Sequence, residues 1–149
     1  MQHERYMQQA LLAAKSCALM GETPVGAVVV YKGETIAVCG NLRETRKDPT
    51  AHAEILAIQG AAAYLARRRL SGCTLYVTLE PCPMCAGAIA MSCLDAVYFG
   101  AYDSKSGCCG SVYRLTQDPA LHLSPVPCFG GILAQECAAL LQQFFSQRR

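Results

Sequence analysis

The sequence carries few charges and no long apolar run. Only 16% of its 149 residues are Asp, Glu, Lys or Arg, and the formal net charge is +2. That bias falls well short of the basic footprint of a dedicated nucleic-acid binder, so charge neither requires RNA nor excludes it. Nowhere do about 18 apolar residues follow one another, which argues against a membrane-spanning helix. The opening stretch, MQHERYMQQALLAAKSCALM, mixes Glu, Arg, Lys and Gln into its apolar positions and offers no signal-peptide core. A cytoplasmic protein with no membrane partner is expected. Internal repeats, linkers and low-complexity tracts are also missing, and the length suits one ordinary core, so residues 1–149 read as a single domain.

What is abundant is hydrophobic residues, at 52%, and cysteine, of which there are ten. Disulfide scaffolds are short, secreted and poor in core residues, so reduced thiols are the better reading of this Ala/Leu/Val-rich chain. Apolar residues at Met7, Leu11, Ala14 and Ala18 trace a helical stripe from Gln2 to Met20, with Gly21 placed for a left-handed cap. Val25 to Tyr31 and Glu34 to Cys39 flank Lys32-Gly33 as a hairpin. A polar loop from Asn41 to Thr50 enters a second helix, Ala51 to about Leu65. The run Thr74 to Leu79, a helical stretch from Pro81 to about Met91, and Ala96 to Ala101 make a strand, helix, strand unit. Such a unit needs a crossover helix and puts part of the sheet in parallel pairing, giving a helix-covered mixed α/β sheet. A last helix runs from Ile132 to about Phe145. The segment Asp118 to Gly131 has no legible structure.

Chemistry concentrates at His52 and Glu54, at the entrance to the second helix, and at Cys82 and Cys85 in the run Pro81-Cys82-Pro83-Met84-Cys85. Zinc takes imidazole nitrogen and thiolate sulfur, and a catalytic site offers three protein ligands while leaving the fourth position for water. His52, Cys82 and Cys85 fill that description. Glu54 has no use in a structural zinc site, whereas hydrolysis needs a proton carrier beside a metal-activated water. A redox pair leaves His52 and Glu54 without a role. A zinc ribbon lacks its second pair, because Cys108 and Cys109 are adjacent and Cys93, Cys128 and Cys137 are isolated; those read as small buried hydrophobes. The order H-x-E followed by P-C-x-x-C resembles the general signature of zinc nucleobase deaminases, and the chain carries it in full.

Beyond that signature the chain resembles the bacterial tRNA-specific adenosine deaminases, within the cytidine and deoxycytidylate deaminase superfamily. The resemblance covers nearly the whole chain: TPVGAVVV at 23 to 30, DPTAHAEI at 48 to 55, LYVTLEPCPMCAGAI at 75 to 89, FGAYDSKSGCCGS at 99 to 111 and GGILAQECAALLQQFF at 130 to 145. It implies a three-layer α/β/α cytidine-deaminase-like fold with about five strands, one Zn2+ per subunit and a homodimer. The implied reaction converts wobble adenosine to inosine in the anticodon stem-loop of a tRNA, an arginine tRNA by the same resemblance; DNA is not an expected partner. His52, Cys82 and Cys85 correspond to the zinc ligands and Glu54 to the proton shuttle. Asn41 and Ala53 correspond to contacts with the base, and Asp103 and Lys105 to a loop against the flanking nucleotides. Arg46, Lys47 and Arg114 are further candidate phosphate partners, while Arg148 and Arg149 read as solvated or dipole-complementing. Lys47, Tyr102 and the run Leu121-His122-Leu123-Ser124 depart from the family pattern, and Pro125 and Pro127 argue for an edge or broken last strand. Two other readings stay open: a deaminase of a free base or nucleoside, guanine or cytosine among them, and a zinc-binding scaffold without turnover.

Overall fold

The structure is a computed structural model that describes residues 2–148; Arg149, expected to be solvated beside Arg148, lies outside the described residues. Helix α1 (Gln2–Leu19) leads through Gly21, whose φ of +86° ends the helix, into strand β1 (Gly26–Tyr31). Lys32 and Gly33 both adopt positive φ, 51° and 76°, the signature of a tight primed turn, and return the chain as β2 (Glu34–Gly40). A one-turn helix α2 (Arg43–Arg46) follows, inside the stretch expected to be loop. Helix α3 (Ala53–Leu65), strand β3 (Cys73–Leu79), helix α4 (Pro83–Ser92) and strand β4 (Ala96–Ala101) complete the crossover unit. After two single-turn 3-10 helices come a two-residue β5 (Cys128–Phe129) and helix α5 (Ala134–Ser146).

The sheet order is β2-β1-β3-β4-β5, with β1 antiparallel to both β2 and β3, and with β3, β4 and β5 mutually parallel along their contacts. Both faces of the sheet are covered, which is why β1 reads as an unbroken apolar run: Ala27 and Val29 face α3 and α4, while Val28 and Val30 face α1 and α5. Glycine is required at residue 26, where a Cβ would collide with the Ala10 carbonyl of α1. The fifth strand is short and at an edge, as Pro125 and Pro127 suggest: neither can donate to a ladder, and pairing starts only at Cys128. The expectation for the spare cysteines holds in part. Cys108, Cys109 and Cys137 are buried, but Cys93 and Cys128 are half-exposed. Cys93 ends α4 in the left-handed region at φ 62°, and the Cys128 sulfur lies 3.2 Å from Thr116 Oγ1. Among the described residues, no helix is long and apolar enough to cross a membrane.

Candidate metal centre and active site

Three short-range features bring the metal-ligating atoms together. His52 is the N-cap of α3 in extended backbone. Strand β3 ends at Leu79 beside it and delivers Cys82 as the N-cap of α4; Pro83 occupies the first turn of that helix, where its missing N–H costs nothing. Cys85 then falls one turn in, on the face toward His52. Both thiols lie next to the imidazole: Cys82 Sγ is 3.7 Å and Cys85 Sγ 3.6 Å from His52 Nδ1, and all three donor atoms lie within 4.8 Å of one another. A tetrahedron built on Zn–S of about 2.3 Å and Zn–N of about 2.1 Å has edges of about 3.6 Å. The donor set therefore fits zinc, with one corner left over.

Glu54 sits two residues after His52, in the first turn of α3, and is 4% exposed. Burial pushes its carboxyl from 4.5 up to about 7, its own backbone amide pulls it back, and the Cys82 charge adds to the rise. Cys82 moves the other way, down to about 5, chiefly because the Cys85 thiol donates to it, helped by the Met84 and Cys85 amides and by His52. Cys85 is pushed upward by the same shared proton and by burial. Metal-free, the pair thus holds one negative charge, next to a carboxyl that titrates near neutrality, where a proton carrier must work.

These groups open into a cavity of about 280 Å³ whose lining includes His52, Glu54, Cys82, Asn41 and Arg43. Two larger surface clefts, of about 650 and 620 Å³, contain none of the ligand set. Two further buried carboxylates, each 1% exposed, fasten the walls of the small cavity. Glu22 accepts from the Glu44 and Thr45 amides and from the Thr45 hydroxyl, at 3.2, 2.7 and 2.6 Å, and so fixes the α2 turn. Burial raises its pKa, but those donors outweigh it and leave the group below the usual carboxylate range. Glu80 accepts from the Asp103, Cys109 and Ser111 amides and from the Ser111 hydroxyl, gathering residues 103 to 111 over β3. Gly107 is glycine because a Cβ there would strike the Glu80 carboxyl.

The residues expected to meet substrate are distributed unevenly. Asn41 is buried in the cavity wall, where Nδ2 donates to Thr23 O at 3.1 Å and Oδ1 accepts from Ala53 N at 2.8 Å. The Ala53 amide expected to face the base is thus engaged by Asn41. Asp103 lines the cavity and braces its own loop, accepting from the Lys105 and Ser106 amides and the Ser106 hydroxyl. Lys105, Lys47 and Arg114 are exposed, and Arg46 lines the cleft between α1 and α3. Sequence reasoning passed over Glu22, Glu80 and Arg43. A lone Glu reads as solvated, and the partners of Glu22 and Glu80 are backbone groups more than 20 positions away, which no spacing signals.

Comparison with known proteins adds an independent line. Residues 1–101 match the family model of the cytidine and deoxycytidylate deaminase zinc-binding region. The chain is 48% identical to a tRNA-specific adenosine deaminase of Bacillus subtilis over 99% of its own length and 91% of that protein's. A solved structure from work on A-to-I editing by tRNA:A34 deaminases at the wobble position of transfer RNA superposes with a TM-score of 0.87 at 42% identity, covering 92% of this chain and 99% of that one. A guanine deaminase structure from Bacillus subtilis is 39% identical, with a TM-score of 0.68, over 74% of this chain and 71% of that one.

Proposed function

The chain belongs to the cytidine and deoxycytidylate deaminase family, and on that premise we propose that it converts the wobble adenosine of a transfer RNA to inosine. The reaction is hydrolytic: water adds at C6 of the purine, the C6–N6 bond breaks and ammonia leaves. His52, Cys82 and Cys85 hold zinc, which when bound supplies Lewis-acid activation of water. Glu54 carries the protons, taking one from the attacking water and delivering to the ring nitrogen and to the departing amine. The observation that carries this reading is a carboxyl with a pKa near 7 beside a three-donor set with one corner left over. Asn41 presents the remaining hydrogen of Nδ2 to the purine, while its other bonds keep the amide from turning. Asp103 and Lys105 meet the nucleotides flanking the target.

RNA, rather than a free base, is supported by the near full-length similarity to tRNA-specific enzymes, against the shorter and looser likeness to guanine deaminase. An arginine tRNA rests on the sequence resemblance. The protein works in the cytoplasm as a homodimer; the apolar cleft between α3 and α4, with Met91 70% exposed, supports a second copy there. Inosine formation in an adenosine-containing anticodon stem-loop, run beside free adenosine, guanine and cytosine, tests the substrate. Turnover of a free base with none in the stem-loop would move the substrate and keep the chemistry. Light scattering on the purified protein tests the dimer.

A further inference from the structure

Arg43 is the one place among the described residues where a buried side-chain donor goes unmet. Its Nε is buried and has no hydrogen-bond partner. The guanidinium makes one side-chain bond, from Nη2 to Thr23 Oγ1, at a long 3.4 Å. Buried N–H groups are paired in the great majority of cases, and a guanidinium cannot shed its charge to escape the cost. The nearby carboxylates are spoken for: Glu22 accepts from the α2 turn and Asp103 from its own loop. A guanidinium that feels the Glu22 charge yet makes a single long hydrogen bond, and that lines the same cavity as Glu54, points to an acceptor that arrives with the substrate.

Arg43 is also held in advance. The Glu22 carboxylate fixes the two residues that follow it, and Lys47, in the left-handed region at φ 52°, closes the turn. A planar fork carried on a turn fixed in this way suits a phosphate, which it can grip with two donors. None of Arg46, Lys47, Lys105 and Arg114 lines the cavity. We propose that Arg43 binds a backbone phosphate of the RNA directly beside the target adenosine. This rests on the RNA reading above, because a free nucleoside has no phosphate and leaves the guanidinium unmet.

The test uses the zinc-loaded full chain, Arg43→Gln and Arg43→Lys, with an anticodon stem-loop as probe. The stem-loop is made natural and with a neutral methylphosphonate at each of the two phosphates flanking the target. Dissociation constants are measured across salt concentrations, with kcat and KM for inosine. Arg43→Gln is expected to raise Kd and KM about tenfold, with kcat within about twofold. It should also flatten the slope of log K against log salt by about 0.7. One of the two neutral phosphates should weaken the wild type by a similar factor and leave Arg43→Gln unchanged. Arg43→Lys should restore the salt slope and only part of the affinity. Zinc content and thermal midpoint check that both variants fold. Equal Kd and salt slope for wild type and Arg43→Gln would overturn the proposal alone. Failure of the wild type to bind the stem-loop would overturn the RNA reading and the proposal with it.

Discussion

The rim and the floor of the cavity each depend on buried carboxylates, wired in opposite ways. On the rim, Glu22 and Glu80 accept from three and four donors, most of them backbone amides, and each holds a segment of chain in place. On the floor, Glu54 meets its own amide and the Cys85 thiol, and burial lifts it to about 7. Donors saturate Glu22 and hold its carboxylate ionised below the usual range, whereas Glu54, buried with few donors, becomes a proton carrier. The same residue type therefore does two jobs around one cavity, bracing its walls and carrying protons on its floor.

The sharpest way to break this contrast is to remove the metal set. His52→Ala and Cys85→Ala are expected to lose zinc and all measurable inosine formation, read by metal analysis and turnover on one sample. Next in size comes Glu80→Ala, which strips the acceptor from three amides and should cost about 3 kcal/mol of stability in denaturant titration. Its zinc content should persist while KM for the stem-loop rises, because the 103 to 111 wall is no longer fastened. Unchanged stability would mean that the rim is not braced as described.

The two carboxylate types also predict opposite pH behaviour. Glu54 binds its proton more tightly folded than unfolded, about 7 against 4.5. The stability it contributes is thus full below about 4.5 and lost as pH rises to about 7. Metal-free Glu54→Gln should gain up to about 3 kcal/mol on metal-free wild type between those limits. Glu22, held below its usual range, contributes stability that is present above about 4.5 and lost as pH falls. Glu22→Gln should flatten the acid limb of the unfolding curve instead. The smallest effect belongs to Lys105→Ala: exposed and outside the cavity lining, it should raise KM about threefold at low salt and less at high salt.

The floor was legible in the sequence and the rim was not. His52, Glu54, Cys82 and Cys85 lie in two short motifs whose spacing reflects two helix starts, and the β-branched hairpin runs and the crossover strands fall where the structure has β1, β2, β3 and β4. The α2 turn was hidden in a polar stretch because a single helical turn has no periodicity to read. Strand β5 is too short to pattern, and its pairing depends on where two prolines stop interrupting it. Arg43 looked like one of three cations in that stretch; only its orphaned Nε sets it apart.

The most direct measurement is single-turnover inosine formation by zinc-loaded Glu54→Gln beside wild type, with zinc content determined on both. The starved carboxylate predicts full metal occupancy and a rate lower by about a thousandfold. A variant that keeps its zinc and its rate would contradict the assignment of the protons to Glu54.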